Sequence, residues 1–232
     1  MTLSQLHQFA LLRTLPKIQL RRLLAQARTR DFKVGEPVFK KSEAADHIFF
    51  VVSGRVKIFC QSPARKRKTF AYLGAGDIFG EMGALLNGPR TASALAVAPS
   101  RLMILHNRDF RKFLLSDPNV TYSLLRTMAE RLRSADEEIE SLLFRNILGR
   151  VSKTLHDLAR HCGKPYRRGL LLRERYTHQE LADLVGTTRE PLSRALTLLR
   201  NASLIEVREG NFFVPDLVKL SGLIRDAAHS AD

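Results

Sequence analysis

The segment from Pro118 to Asn146 carries no glycine and no internal proline. Within it Leu125, Met128, Leu132, Ala135, Ile139 and Leu142 follow one another at intervals of 3, 4, 3, 4 and 3. Alternating steps of three and four place apolar residues on an a/d seam about three heptads long. Arg131, Arg133, Glu137, Glu138 and Glu140 flank this stripe closely. A stripe so narrow predicts a coiled-coil helix that pairs two copies of the chain. It divides the sequence into residues 1–117, a dimerisation helix over 118–146, and residues 147–232.

The chain on either side of the seam differs in texture. Over residues 3–28 the apolar positions Leu3, Leu6, Phe9, Ala10, Ile18, Leu20, Leu23, Leu24 and Ala27 have helical spacing, interrupted at Pro16, a residue that suits a helix start. From Asp31 to Leu105 short β-branched and aromatic runs take over: HIFFVV, RVKIFC, TFAYL, SALAVA and RLMILH. Gly, Pro, Asn and Ser clusters such as Val34-Gly35-Glu36-Pro37 and Gly74-Ala75-Gly76-Asp77 separate them. That pattern predicts an antiparallel barrel or roll. Beyond Gly149 a helix is expected from Val151 to His161 and a polar loop from Cys162 to Arg168. The whole reads as α+β.

The net charge of +15 favours polyanionic partners, nucleic acid or an anionic membrane. Residues 1–145 hold 24 Lys/Arg against 13 Asp/Glu, and residues 146–232 hold 14 against 10, so the excess does not sit at the C-terminal end. No apolar run approaches the ~18 residues of a membrane-spanning helix. The N-terminus lacks the features of a secretory signal. Two cysteines, Cys60 and Cys162, provide neither a disulfide framework nor a four-thiolate metal site, and the natural setting is a reducing cytoplasm. His47, His106 and Cys60 show no metal-ligand spacing, and no nucleophile is matched to a base. Neither a metal, a haem nor an enzyme is expected.

The sharpest local pattern lies between Tyr176 and Val214. Thr177-His178-Gln179-Glu180 is a capping box that opens a helix through Leu181, Leu184 and Val185. Gly186 supplies a tight turn. Thr187-Thr188-Arg189-Glu190 offers a second capping box, ahead of a helix with Leu192, Ala195, Leu196 and Leu199 inward. Two short helices about such a turn form a helix-turn-helix. Leu204–Val207 and Phe212–Val214 then form a hairpin wing. The second helix presents Arg189, Glu190, Ser193 and Arg194 near its N-terminus, where a recognition helix meets base edges. Thr177, Gln179 and Thr188 lie at helix starts and suit phosphate contacts. Arg65-Lys66-Arg67-Lys68 reads as the solvated tip of a hairpin.

Residues Phe79 to Ala94, FGEMGALLNGPRTASA, place a carboxylate and a guanidinium nine positions apart. Glu81 and Arg90 could be an ion pair under a loop, or a socket for a ligand bearing hydroxyls and a phosphate. The order of parts favours the socket without closing the other reading. Gly74-Ala75-Gly76-Asp77-Ile78-Phe79-Gly80-Glu81, Pro89-Arg90-Thr91-Ala92, the seam, Gly149-Arg150-Val151 and Thr187-Thr188-Arg189-Glu190 with Ser193-Arg194 follow in sequence. Over nearly its whole length the chain resembles the family of the cyclic-AMP receptor protein (catabolite activator) and the fumarate–nitrate respiration regulator.

That resemblance implies a cyclic-nucleotide-binding β-roll, a dimerising helix and a C-terminal winged helix-turn-helix in a homodimeric transcription regulator. It implies a pocket at Gly80, Glu81, Met82, Arg90 and Thr91, with Glu81 accepting from the ribose hydroxyl and Arg90 and Thr91 holding the cyclic phosphate. The base-reading pair of the family falls on Ala135 and Asp136. Ala135 has no side-chain hydrogen bond to give. Asp136, an acceptor when ionised, suits the adenine amino group or two adjacent donors of a guanine edge. Cyclic AMP is the expected effector, with cyclic GMP or cyclic di-GMP, or DNA binding without any nucleotide, as alternatives. The implied partners are double-stranded DNA in half-sites containing TGA, a second copy of the chain, and RNA polymerase. No membrane partner is implied.

Overall fold

The computed structural model describes residues 6–13, 15–63 and 66–226, and of Arg225 and Asp226 the backbone alone. Leu3 and Arg65 lie outside the described residues. The chain divides into two compact units, Met1–Arg131 and Leu132–Asp232.

In the first unit the five apolar runs form strands. These are β3 (His47–Ser53), β4 (Val56–Gln61), β5 (Arg67–Leu73), β7 (Ser93–Ala96) and β8 (Ser100–His106). Three further strands join them: β1 (Arg28–Phe32), β2 (Pro37–Phe39) and β6 (Ile78–Phe79). Two four-stranded antiparallel sheets result, in the orders β1-β8-β3-β6 and β2-β7-β4-β5. Successive side chains of a strand point to opposite faces, and β3 uses both. Its Phe49 and Val51 face an inter-sheet core with Phe32, Phe79, Ala94, Ala96 and Leu102. Its Ile48, Phe50 and Val52 face a second core made with Leu20, Leu23, Phe110, Leu114, Val120 and Leu124. The last six residues lie on helices α1 (Lys17–Gln26), α3 (Asn107–Ser116) and α4 (Pro118–Phe144). Burial on both faces explains why HIFFVV reads as an unbroken apolar run.

The predicted long helix is α4. Its first turns serve the roll: Val120 and Leu124 are buried there, and Met128 packs against the same core. Met128 was expected on the seam and instead contacts the roll of its own chain. Leu125, Leu132, Ala135, Ile139 and Leu142 are exposed, Leu132 at 64%.

The second unit continues with α5 (Ile147–Cys162), capped by Asn146, whose side chain accepts from the Gly149 amide at 2.9 Å. The expected polar loop after it is a strand. β9 (Gly163–Tyr166) pairs antiparallel with β10 (Gly169–Leu172), and the sheet order is β11-β12-β10-β9. Pro165 concealed this strand, and is tolerated because β9 is at the sheet edge. The helix-turn-helix is α6 (His178–Val185) followed by α7 (Arg189–Asn201). The wing is β11 (Glu206–Arg208) and β12 (Asn211–Val214), before α8 (Leu217–Asp226). Its two-residue turn, Glu209-Gly210, has φ of 52° and 80°, the conformation a tight hairpin requires.

Candidate functional site

Gly80 ends β6 with φ 82° and starts a short helix, α2 (Glu81–Leu86). Only a residue that tolerates a left-handed backbone fits there, and a Cβ would lie 2.7 Å from Arg90 Nη1. The turn points Glu81 inward, where it is 3% exposed. Arg131 on α4 donates from Nη1 to Glu81 Oε1 at 2.7 Å and from Nη2 to the Ile78 carbonyl at 2.6 Å. Glu81 Oε2 is buried and has no hydrogen-bond partner.

Arg90, 5% exposed, lies 4.2 Å above the Phe39 ring and 5.4 Å from that of Phe49. Its fork donates to two carbonyls, Gly80 at 3.0 Å and His47 at 2.8 Å. Nε is buried and unpartnered. Burial pushes this guanidinium below its ordinary pKa, against the opposing pull of Asp46, Glu81 and Glu43. Thr91 donates its hydroxyl to Met82 Sδ at 3.5 Å, a weak acceptor that is readily given up. Among the described residues no ion pair joins Glu81 to Arg90. The carboxylate is tied to the long helix and the guanidinium to the roll's own backbone. Ala135 and Asp136 are exposed on α4, four and five residues beyond Arg131.

The helix-turn-helix is built by local chemistry. Thr177 and Glu180 form the predicted capping box: Thr177 Oγ1 accepts from the Glu180 amide at 3.2 Å, and its backbone amide donates to Glu180 Oε2 at 2.8 Å. Gly186 ends α6 in the left-handed region, φ 75°. Arg150 reaches across from α5 to donate to the carbonyls of Val185 at 2.6 Å and Gly186 at 3.0 Å, which fixes the turn. Burial lowers the Arg150 pKa, with Glu138 pulling it back up.

The second capping box does not form. Thr188 is the cap of α7 and its side chain makes no capping bond. Counting from Thr188, the third helical residue is Pro191, which has neither the amide the hydroxyl needs nor a carboxylate to return. Glu190 instead faces Arg194 at 3.5 Å, both well exposed. Arg189 and Thr188 are exposed too. The Gln179 amide donates to the buried Asp183 at 2.8 Å, and Ser193 Oγ lies 2.9 Å from His178 Nδ1. In the wing, Arg175 donates to the Glu209 carbonyl at 2.9 Å and Asn211 to that of Leu172 at 2.8 Å.

The sequence of the first unit matches the family description "Cyclic nucleotide-binding domain" over residues 29–117, and that of the second matches "Crp-like helix-turn-helix domain" over residues 149–223. The chain is 33% identical over 197 residues to the cyclic AMP receptor protein of Thermus thermophilus, covering 85% of this chain and 88% of that one. It belongs to the CRP/FNR family of transcription regulators. The CRP-like cAMP-activated global transcriptional regulator of Mycobacterium tuberculosis is 30% identical over 199 residues, with 86% and 89% covered. Among solved structures, the Thermus thermophilus catabolite activator protein is 31% identical with a TM-score of 0.53, covering 94% of this chain and 99% of its own. The c-di-GMP responsive regulator CLP of Xanthomonas campestris, 24% identical, shares the fold with a TM-score of 0.76 over 87% of this chain and 100% of its own.

As a CRP/FNR regulator the protein binds DNA through the helix-turn-helix and carries a cyclic-nucleotide-binding domain. Its family consists of transcription regulators, not enzymes. Among the described residues no helix is long and apolar enough to cross a membrane. Three side chains in this regulator escaped sequence reasoning as contributors: Arg131 on Glu81, Arg150 on the turn, and His178 on Ser193. Arg150 stood in Gly149-Arg150-Val151 and His178 in the capping box Thr177-His178-Gln179-Glu180, whereas Arg131 stood only as a charge flanking the seam.

Proposed function

We propose that this regulator is a homodimer switched by a cyclic purine nucleotide, with cyclic AMP the effector. Glu81 takes a ribose hydroxyl, Arg90 and Thr91 take the cyclic phosphate, and Gly80 and Met82 shape the turn between them. The observation that carries this reading is the pair of orphans: Glu81 Oε2 and Arg90 Nε are both buried without a partner. A buried polar atom left unsatisfied costs about 1–3 kcal/mol. One orphan is an acceptor matched to a hydroxyl and the other a charged donor matched to a phosphate, so the two fit the two ends of a ribose cyclic phosphate. The relatives at 30–33% identity whose names include cyclic AMP support that nucleotide.

Ala135 and Asp136 on α4 would face the base, and two copies of α4 would pair through Leu125, Leu132, Ile139 and Leu142. Binding shifts the population toward a dimer whose α7 helices meet successive major grooves, ~34 Å apart on a two-fold site. There Arg189, Glu190, Ser193 and Arg194 read half-sites containing TGA, within TGTGA or a near variant. Thr177, Gln179 and Thr188, at the starts of α6 and α7, meet the phosphates. RNA polymerase is the further partner of such a complex.

Calorimetry with cyclic AMP, cyclic GMP and cyclic di-GMP, on wild type and Asp136→Ala, tests the effector. Cyclic AMP should bind best and tighten operator binding. Absence of heat from all three, with operator binding unaffected by each, would replace the switch with a constitutive DNA binder. A preference for cyclic GMP that Asp136→Ala abolishes would reassign the base.

A further inference from the structure

His178 and Ser193 lie on different helices of the DNA-reading motif. His178 is the first residue of α6 and Ser193 the fifth of α7. Nδ1 of one is 2.9 Å from Oγ of the other, a full hydrogen bond. Ser193, half-buried, shares a face of α7 with the exposed Glu190 and Arg189, three and four residues earlier. Its backbone carbonyl is taken by the Thr197 hydroxyl at 3.0 Å, so its own hydroxyl is what it offers outward.

We propose that His178 is a positioning residue that sets which base edge Ser193 reads. A serine hydroxyl has one hydrogen and two lone pairs, and can recognise either a donor or an acceptor. That ambiguity makes an isolated serine a poor reader, suited to any base. The imidazole narrows it. If the nitrogen facing Ser193 carries a lone pair, the hydroxyl hydrogen is spent on His178. Ser193 then shows only lone pairs, which match the amino groups of cytosine or adenine. If that nitrogen carries a hydrogen, Ser193 accepts it and keeps its own hydrogen for purine N7, guanine O6 or thymine O4. The first state leaves the serine an acceptor only; the second leaves one lone pair beside the hydrogen, so it halves the accepting capacity and favours the donor role. The bond also fixes the serine rotamer from a second helix, so a shift of α6 against α7 is felt at the base contact. The arginines and Glu190 on the same face have fixed polarity and need no such partner.

This inference rests on the reading of α7 given above, and the test separates the two. The full-length protein, saturated with cyclic AMP, is assayed by competition binding against operators carrying all four bases at each half-site position. The variants are His178→Ala, His178→Asn, Ser193→Ala and the double change His178→Ala with Ser193→Ala. Ser193→Ala should relax the preference at one base pair, about fivefold for one neutral hydrogen bond. His178→Ala should relax the same pair, the double variant should match Ser193→Ala alone, and His178→Asn, which keeps a polar atom near the place of Nδ1, should restore discrimination. A uniform loss of affinity in His178→Ala, with every base preference intact, would overturn the proposal and leave His178 a backbone contact. Relaxation at a different base pair would overturn it as well. If Ser193→Ala leaves all preferences unchanged, the base-reading role of Ser193 fails and the proposal falls with it. If Ser193→Ala relaxes one pair and His178→Ala none, the proposal alone falls.

Discussion

Arg131→Met removes the cation that faces the buried Glu81 carboxylate. The 2.7 Å contact joins a carboxylate side chain 4% exposed to a guanidinium 39% exposed. Breaking a fully buried pair costs about 3–5 kcal/mol, because a charge is left behind without compensation. Arg131 keeps part of its solvation, so the cost here is about 2 kcal/mol. For a unit of this size that is a fall in Tm of roughly 6 °C. Glu81→Gln acts differently. Arg131 keeps its bond to the Ile78 carbonyl at 2.6 Å, and a neutral amide replaces the buried charge, so stability should stay within about 1 kcal/mol of wild type. Cyclic AMP should bind about tenfold more weakly, since a neutral acceptor replaces an ionised one at the ribose. Combining Glu81→Gln with Arg131→Met should recover most of the stability lost in Arg131→Met while leaving binding weak. Thermal melting and calorimetry on the four proteins read both axes. A double variant as unstable as Arg131→Met would refute the view that the stability loss comes from an uncompensated carboxylate. Wild-type cyclic AMP affinity in Glu81→Gln would refute the ribose contact.

Three further outcomes are expected. Leu132→Glu with Ile139→Glu, at positions 64% and 55% exposed in the single chain, should leave protomer folding intact and convert the dimer to monomer by sedimentation equilibrium; an unchanged mass would exclude this face. Thr177→Ala removes the capping hydroxyl and should destabilise the second unit by about 1 kcal/mol in denaturant titration. His47 has its pKa pushed below the ordinary 6.5 by burial, then by Arg28, His106 and Arg90, with Asp46 opposing. The unfolded chain therefore binds its proton first as pH falls. Stability should be level above about pH 6.5 and decline below it, and His47→Gln should flatten that decline in melts at pH 7.5 and 5.5.

In the first unit the strands legible in the sequence are the five whose side chains are β-branched or aromatic and buried on at least one face, and in the second the two of the wing. β1 was not legible because Arg28-Thr29-Arg30-Asp31 is polar and exposed. It is held by register instead, with Asp31 opposite Arg101 and taking a bidentate fork at 2.7 and 2.9 Å. β9 was hidden by Gly163 and Pro165, which argue against a strand except at a sheet edge. The first capping box was readable because both partners lie within three residues, and the second failed on Pro191, a conflict visible in the sequence. In the nucleotide socket the residue types were legible and their partners were not. Glu81 and Arg131 are 50 positions apart, and nothing in either neighbourhood announces the other.

Those partners bear on how a small ligand could move a DNA-binding domain. α4 is one helix from Pro118 to Phe144. Val120, Leu124 and Met128 fix its first half to the roll, and Arg131, three residues past Met128, is the last side chain in the first unit that ties it there. The exposed Leu132, Ile139 and Leu142 follow immediately. Arg90 has no such link, since its fork and its ring contacts stay within the roll. A ligand shifts an equilibrium only by the difference in its affinity for the two states. A phosphate on Arg90 meets the same roll whichever way α4 lies, so it contributes affinity to both states alike. A ribose hydroxyl on Glu81 Oε2 shares its carboxylate with Arg131 on Oε1, so its free energy depends on whether that turn of α4 is docked. On the proposed reading, then, the phosphate supplies most of the binding and the hydroxyl most of the switching.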